Sequence, residues 1–232
     1  MWSRPGRGRP VTAGPAAVLT AAATVALAEV VGRSVVRDGA GPGGGVAVAF
    51  AVGVVVAALV LDGGRASLAR AVARSAWLAI AAAGLIVAHT GGRVVAARVF
   101  GLALGVGIVA LAAAGASRLL GRVLGTPDRG RLAVCVLVAL AGTGPLWLGP
   151  AVERLGAPEA AVDAVVAASP LTYLAVMGGY DYLHQHWFYV RSPVASLRFA
   201  YPPATALTAC YLAVALLLLH AHRVLPERWR EG

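Results

Sequence analysis

The residues best equipped for chemistry stand close together late in the chain, where Asp181, His184 and His186 form D-x-x-H-x-H within Tyr-Asp-Tyr-Leu-His-Gln-His-Trp. Imidazole and carboxylate ligands of this kind suit zinc and related ions. Residues two apart share a face of a strand and residues three apart a face of a helix, so one regular element does not align all three. An interfacial loop that happens to carry histidines is the plainer account. Glu29 lies inside an apolar run, which by default marks a functional position; Arg33 and Arg37 are near enough to pair with it, and its place near the end of the run lets it reach water. His220 and His222 form a second H-x-H beside Arg223, which fits a membrane headgroup boundary better than a metal. Ser192 is near His184 and His186 in sequence, but nearness in sequence is not a triad, and no catalytic residue or cofactor is assigned.

Those residues belong to a segment, 160–203, unlike the rest of the chain. It holds eight of the fifteen Phe, Trp and Tyr residues, two of the five histidines and the sole glutamine. Elsewhere Ala, Val, Leu, Gly and Arg dominate. With 59% apolar residues and a mean hydropathy of +0.78 in 232 residues, the composition is that of a membrane protein. All 20 basic residues are arginine, with no lysine and no asparagine. That excludes a phosphate-loop lysine, a Schiff base and an N-glycosylation acceptor. A formal charge of +10 would point to nucleic acid in a soluble chain. Here the arginines sit between apolar runs and serve to set topology, so no nucleic-acid partner is expected. Cys135 and Cys210 lie in apolar runs that cross in opposite directions, and no disulfide between them is expected.

The elements that must position the candidate site are membrane helices. The fold class expected is all-α, a single polytopic domain of about six spans. A basic, Pro- and Gly-rich tail (1–10) precedes the first apolar run, 11–31, which resembles a signal peptide but serves equally as an uncleaved span. A Gly/Pro linker leads to a second span at 46–61, a polar connection at 62–74 bearing Arg65, Arg70 and Arg74, and a third span at 75–90. The fourth, 99–117, contains Gly101-xxx-Gly105, a spacing that allows close helix approach but is common by chance in Ala/Gly-rich spans. An arginine-rich connection (118–131) precedes the fifth, 132–149, which Gly144-Pro145 should kink or end. The sixth, 203–222, is followed by a charged tail, 223–232.

Counting arginines on alternate sides gives thirteen on the side of both termini and seven on the other, so both termini should be cytoplasmic. The segment 150–202 then faces outward. Residues 159–178 have an apolar face interrupted by Asp163 and by Ser169-Pro170, where the residue before proline disfavours helix. Two short helices, part-way into the outer leaflet or along its surface, are expected there as a broken hairpin before the last span.

The run Ala168-Ser169-Pro170-Leu171-Thr172-Tyr173-Leu174-Ala175 resembles the Asn-Pro-Leu-Thr-Tyr-Leu motif preceding the last span in membrane subunits of ATP-binding-cassette exporters of the type-two permease family. Ser169 stands where the family usually has Asn, and either side chain caps a helix well. Six spans, inward termini, a broken outer hairpin and a basic connection between spans two and three also match. The resemblance implies a permease subunit, acting as a dimer in a bacterial inner membrane, with a separate cytoplasmic ATPase subunit. It implies that 62–74, with Arg65, Arg70 and Arg74, contacts that ATPase; the alternative is that these arginines only fix topology. A second reading is a membrane-embedded metal-dependent enzyme or ion-binding protein using Asp181, His184 and His186. A third is a non-catalytic membrane assembly protein.

Overall fold

The computed structural model describes residues 44–61, 68–92, 94–147, 154, 159–184 and 201–224. The expected first span, Glu29, Arg65, His186, Ser192, the amino tail and residues 225–232 of the carboxyl tail lie outside them. The described residues form seven helices and no strand: α1 (Gly44–Leu61), α2 (Leu68–Thr90), α3 (Ala96–Val123), α4 (Pro127–Trp147), α5 (Glu159–Ala168), α6 (Pro170–Gly178) and α7 (Ala204–Val224). Three of them, α2 from Ala69, α3 and α7, are long and apolar enough to cross a membrane.

The helix α3 is the hub, packed against α1, α2, α4, α6 and α7. Its core side chains, among them Leu102, Val106 and Val109, join Phe50 and Val54 of α1, Ile86 of α2, Val134 of α4 and Tyr173 of α6. The outer helices bury one face and leave the other bare. Trp77 and Ile80 on α2, Leu132 and Leu137 on α4 and Leu216 and Leu217 on α7 are all exposed. Apolar surface of that extent is expected against lipid and not against water. Apolar length and bare apolar faces together make this a membrane protein.

Three helices, α2, α3 and α4, take in residues expected in the connections. The α2 helix begins at Leu68, so Arg70 and Arg74 stand on its first two turns and not in a connecting loop. The stretch Leu-Ala-Arg-Ala-Val-Ala-Arg consists mostly of strong helix formers, and arginine stems can lie along an apolar helix while the guanidinium reaches water. For the same reason α3 runs on to Val123 and carries Arg118 and Arg122. The connection that follows shrinks to a tight turn in which Gly125 has φ +76° and Pro127 opens α4. Pro145 lies inside α4, which continues to Trp147.

Glycines set how closely α3 is approached. The Gly101-xxx-Gly105 spacing is used after all: a Cβ at Gly101 would stand 2.8 Å from the Met177 carbonyl oxygen, and one at Gly105 3.1 Å from Leu174 Cδ2. These two positions are the seat of α6. At the other end of α3, a Cβ on Gly130 would collide with the Gly121 amide and the Ser117 carbonyl. The backbones of α3 and α4 touch there directly. Gly130→Ala should therefore cost about 1–3 kcal/mol, seen as earlier thermal unfolding in detergent. Gly84→Ala, where nothing lies within 4 Å of the added carbon, should be neutral or slightly stabilising in the same assay.

Candidate functional site

The site is built around the break between α5 and α6, where the chain turns by 80°. Pro170 cannot donate a hydrogen bond, so the last carbonyls of α5 and the first amides of α6 need other partners. Tyr211 on α7 donates its hydroxyl to the Ala168 carbonyl at 2.9 Å. Ser169 is the N-cap of α6: its hydroxyl accepts from the Thr172 amide at 3.3 Å and donates to the Gly142 carbonyl of α4 at 3.2 Å. Ser169, Thr172 and Tyr173 are entirely buried and Leu174 nearly so, with Leu171 packed against the same core.

At its far end α6 stops at Gly179, which has φ +61°. There Tyr180 N–H bonds the Ala175 carbonyl at 2.8 Å and Gly179 N–H the Val176 carbonyl at 3.0 Å, a left-handed glycine termination. The Arg98 side chain of α3 lies directly against Gly179, leaving no room for a Cβ. Because α6 meets Gly101 and Gly105 near the start of α3, Thr208 and Tyr211 near the start of α7 and Gly142 near the end of α4, the bent pair occupies only one half of the bundle.

Two further bonds tie α6 to its surroundings. Tyr173 stacks on Tyr211, centroids 4.5 Å apart, and donates to Thr208 Oγ1 at 3.3 Å. The Tyr182 hydroxyl meets Thr172 Oγ1 at 2.8 Å, and Tyr182 with Leu183 packs against Val162 and Val166 of α5.

The residues after Gly179 bring part of the predicted metal cluster together. His184 Nδ1 lies 2.6 Å from Asp181 Oδ2, and the His184 amide donates to Asp181 Oδ1 at 3.1 Å. A turn thus brings together the pair spaced three apart, which a helix would also have aligned. Tyr201, two residues before Pro203, donates to Asp181 Oδ1 at 2.7 Å and accepts from the Leu183 amide at 3.1 Å. Sequence reasoning missed Tyr201, Tyr211 and Thr208. Helical spacing places Thr208 and Tyr211 on one face of the last span, a signal that was available. Tyr201 gave none. Asp181 with His184 makes two candidate ligands, and no group of three or more His, Cys, Asp or Glu forms among the described residues. His89 makes a separate contact, its ring 4.1 Å from that of Phe50 and its Nδ1 3.0 Å from the Leu85 carbonyl. Cys135 and Cys210 are both free thiols.

Burial pushes the Tyr201 hydroxyl well above its ordinary range, and the bond to the Asp181 carboxylate pushes it further. Burial also raises Tyr182, against a smaller opposing effect of its bonds to Thr172 and Ser169.

The class that fold and site define is a helical membrane protein with a sharply bent helix pair before its last membrane-length helix. Comparison with protein-family models, curated proteins and solved structures finds no match to this chain.

Ser169→Ala removes a cap and a tertiary bond together and should cost about 1–2 kcal/mol in a denaturant or thermal assay. Because folding raises Tyr201 above its unfolded value, its contribution is complete below about pH 10 and is lost as pH rises beyond that. In an alkaline absorbance titration Tyr201 should be one of several buried tyrosines that resist ionisation in the native protein, and Tyr201→Phe should remove one tyrosine equivalent from that late-titrating group.

Proposed function

We propose that this chain is the permease subunit of an ATP-driven exporter in a bacterial cytoplasmic membrane, working as a dimer with a separate ATPase subunit. The observation that carries the reading is the buried break at Ser169, capped by its own hydroxyl and followed by Pro170, Leu171, Thr172 and Tyr173, ahead of the last membrane-length helix among the described residues. That is the place the motif takes in type-two permeases. In this reading residues 11–31 are the first of six spans and both termini are cytoplasmic.

The distribution of arginine supports the orientation. Gly107 of α3 lies beside Ala79 and Ser75 of α2, and Gly115 beside Leu218 and Leu219 of α7, so α2 runs antiparallel to α3 and α7 parallel to it. Arg70, Arg74, Arg118, Arg122, Arg129, Arg131 and Arg223 therefore gather at one end, while Arg98 stands at the other. The arginine-rich end is the cytoplasmic one by the usual charge rule. An ATPase docking there reaches the start of α2 through Arg70 and Arg74. A chain without lysine has no phosphate-loop lysine of its own, so the nucleotide chemistry belongs to the partner. Movement of α7 carries the bent pair with it, because Thr208 and Tyr211 both hold that pair.

A second reading, a metal site on the outer face, is favoured by the 2.6 Å contact between His184 and Asp181, which would orient the imidazole for a ligand at its other nitrogen. One preparation separates the two. Purified in mild detergent from native membranes, the protein should bring down a stoichiometric ATPase subunit, and Arg70→Glu with Arg74→Glu should lose it at least tenfold while remaining folded. Unchanged retention and export in that double variant would count against the permease reading. About one transition metal per chain, lost in His184→Ala without loss of any partner, would establish the second reading instead.

A further inference from the structure

The helix α1 differs from the helices that leave one face bare. None of its residues 47–55 is exposed, whereas α2, α4 and α7 each keep large apolar side chains in the open. Its contacts with the other described helices run round one side. Phe50 meets the His89 ring of α2 at 4.1 Å, and Val48 lies against α6, where a Cβ on Gly178 would come within 3.0 Å of it. Those two directions stand about 200° apart on the helix. In the arc between them Ala47, Ala51 and Val54 join the core around α3, which touches both α2 and α6. The helix α4 packs against α3 and α6 rather than α2, so it belongs to the same side. The far side carries Ala49 and Gly53, four residues apart. Gly53 is buried all the same, and Ala49 half-buried.

Gly53 stands about 13 Å along α1 from its first residue, too deep for a loop at the helix end to cover. Among the stretches outside the described residues, 185–200 carries Arg191, Arg198 and Pro193, and 225–232 is charged. The run 11–31 is the one of membrane length, with Glu29 its single ionisable residue. The place where it ends settles how it approaches. Twelve residues, 32–43, lead from it to α1 and reach at most about 40 Å, several times the roughly 8–10 Å between packed helix axes. Helices joined by a short connection pack as antiparallel neighbours. Counting inward from the level where α1 begins puts Ala26 opposite Ala49 and Ala22 opposite Gly53. Small residues four apart on both partners allow the backbones to close on each other.

We infer that residues 11–31 dock as a helix, antiparallel, on the Ala49–Gly53 face of α1, with Ala22-xxx-Ala26 at the contact. The run is then a permanent part of the mature bundle. Its arginine-rich start, apolar middle and Ala26-Leu27-Ala28 have the form of a cleavable leader, but removal would strip this face of α1 bare. The inference shares the six-span topology of the permease reading and invokes neither ATPase nor substrate.

The test uses the full-length protein in native membranes, with Cys135 and Cys210 changed to Ala. Its intact mass should include residues 11–31. On oxidation with copper phenanthroline, Ala26→Cys with Ala49→Cys, or Ala22→Cys with Gly53→Cys, should form a disulfide within one chain. The yield should be about tenfold or more above that of Ala26→Cys with Phe100→Cys, whose second position lies on a bare face of α3. The Ala26 and Ala49 pair exchanges small side chains for small ones, and keeps the test sound if the Gly53 variant fails to fold. A mature mass lacking the run overturns the inference, and so does cross-linking at neither pair, or equally at the Phe100 pair. Disulfides joining two chains would assign the face to a second copy and overturn it as well. None of these readouts involves ATPase retention or export, so a failure here is distinct from a failure of the permease reading.

Discussion

A backbone that stops being helical where no water reaches must find a partner for every amide and carbonyl it releases, because its surroundings supply none. The architecture around Ser169 follows from that requirement. Pro170 makes the break and simultaneously removes a donor, so the end of α5 and the start of α6 draw on neighbours. The Ser169 hydroxyl serves α6 and α4 at once, and the Tyr211 hydroxyl serves α5 from α7. The helices α4 and α7 are thereby both drawn against the break between α5 and α6. The close seat of α6 on Gly101 and Gly105 is the steric half of the same solution, since a break this deep requires its following helix to lie flush against α3.

Polar bonding and apolar packing divide the work by location. Around α3 the core is aliphatic, and position is set by how small the residues are. Around α6 the core is aromatic and hydroxylic, and position is set by directed bonds: Tyr173 to Thr208, Tyr182 to Thr172, Tyr201 to Asp181. Directed bonds of this kind specify one geometry more sharply than hydrophobic contact, and in a low-dielectric setting each is costly to break. The chemically varied part of the sequence is therefore the part that must be held in one particular shape.

Much of this was legible before any coordinates. Runs of Ala, Val and Leu marked the helices, and Ser169-Pro170 marked a break through the known effect of proline on its predecessor. Helix ends were less legible. Arg70, Arg74, Arg118 and Arg122 read as loop residues because charge was weighed above helix propensity, whereas at a membrane boundary both can be satisfied together. Gly101-xxx-Gly105 could not be told from chance, since in a chain with 29 glycines the spacing itself carries little information and only the facing helix gives it meaning. The Asp181 contacts were half visible. The pairing with His184 arises in an irregular turn, for which periodicity offers no guide, and Tyr201 approaches across an intervening segment.

The dependence of α5 on Tyr211 has a consequence for how the chain is made. Synthesis proceeds from the amino end, so α3 and α4 are in place before the break emerges, and Gly142 is ready to receive the Ser169 hydroxyl at once. Tyr211 arrives only when the last helix has left the ribosome. Until then the terminal carbonyls of α5 have no hydroxyl to meet and the ring of Tyr173 has nothing to stack upon. The bent pair thus gains its last partners from the end of the chain, and the final helix that completes the bundle also ties that pair into it.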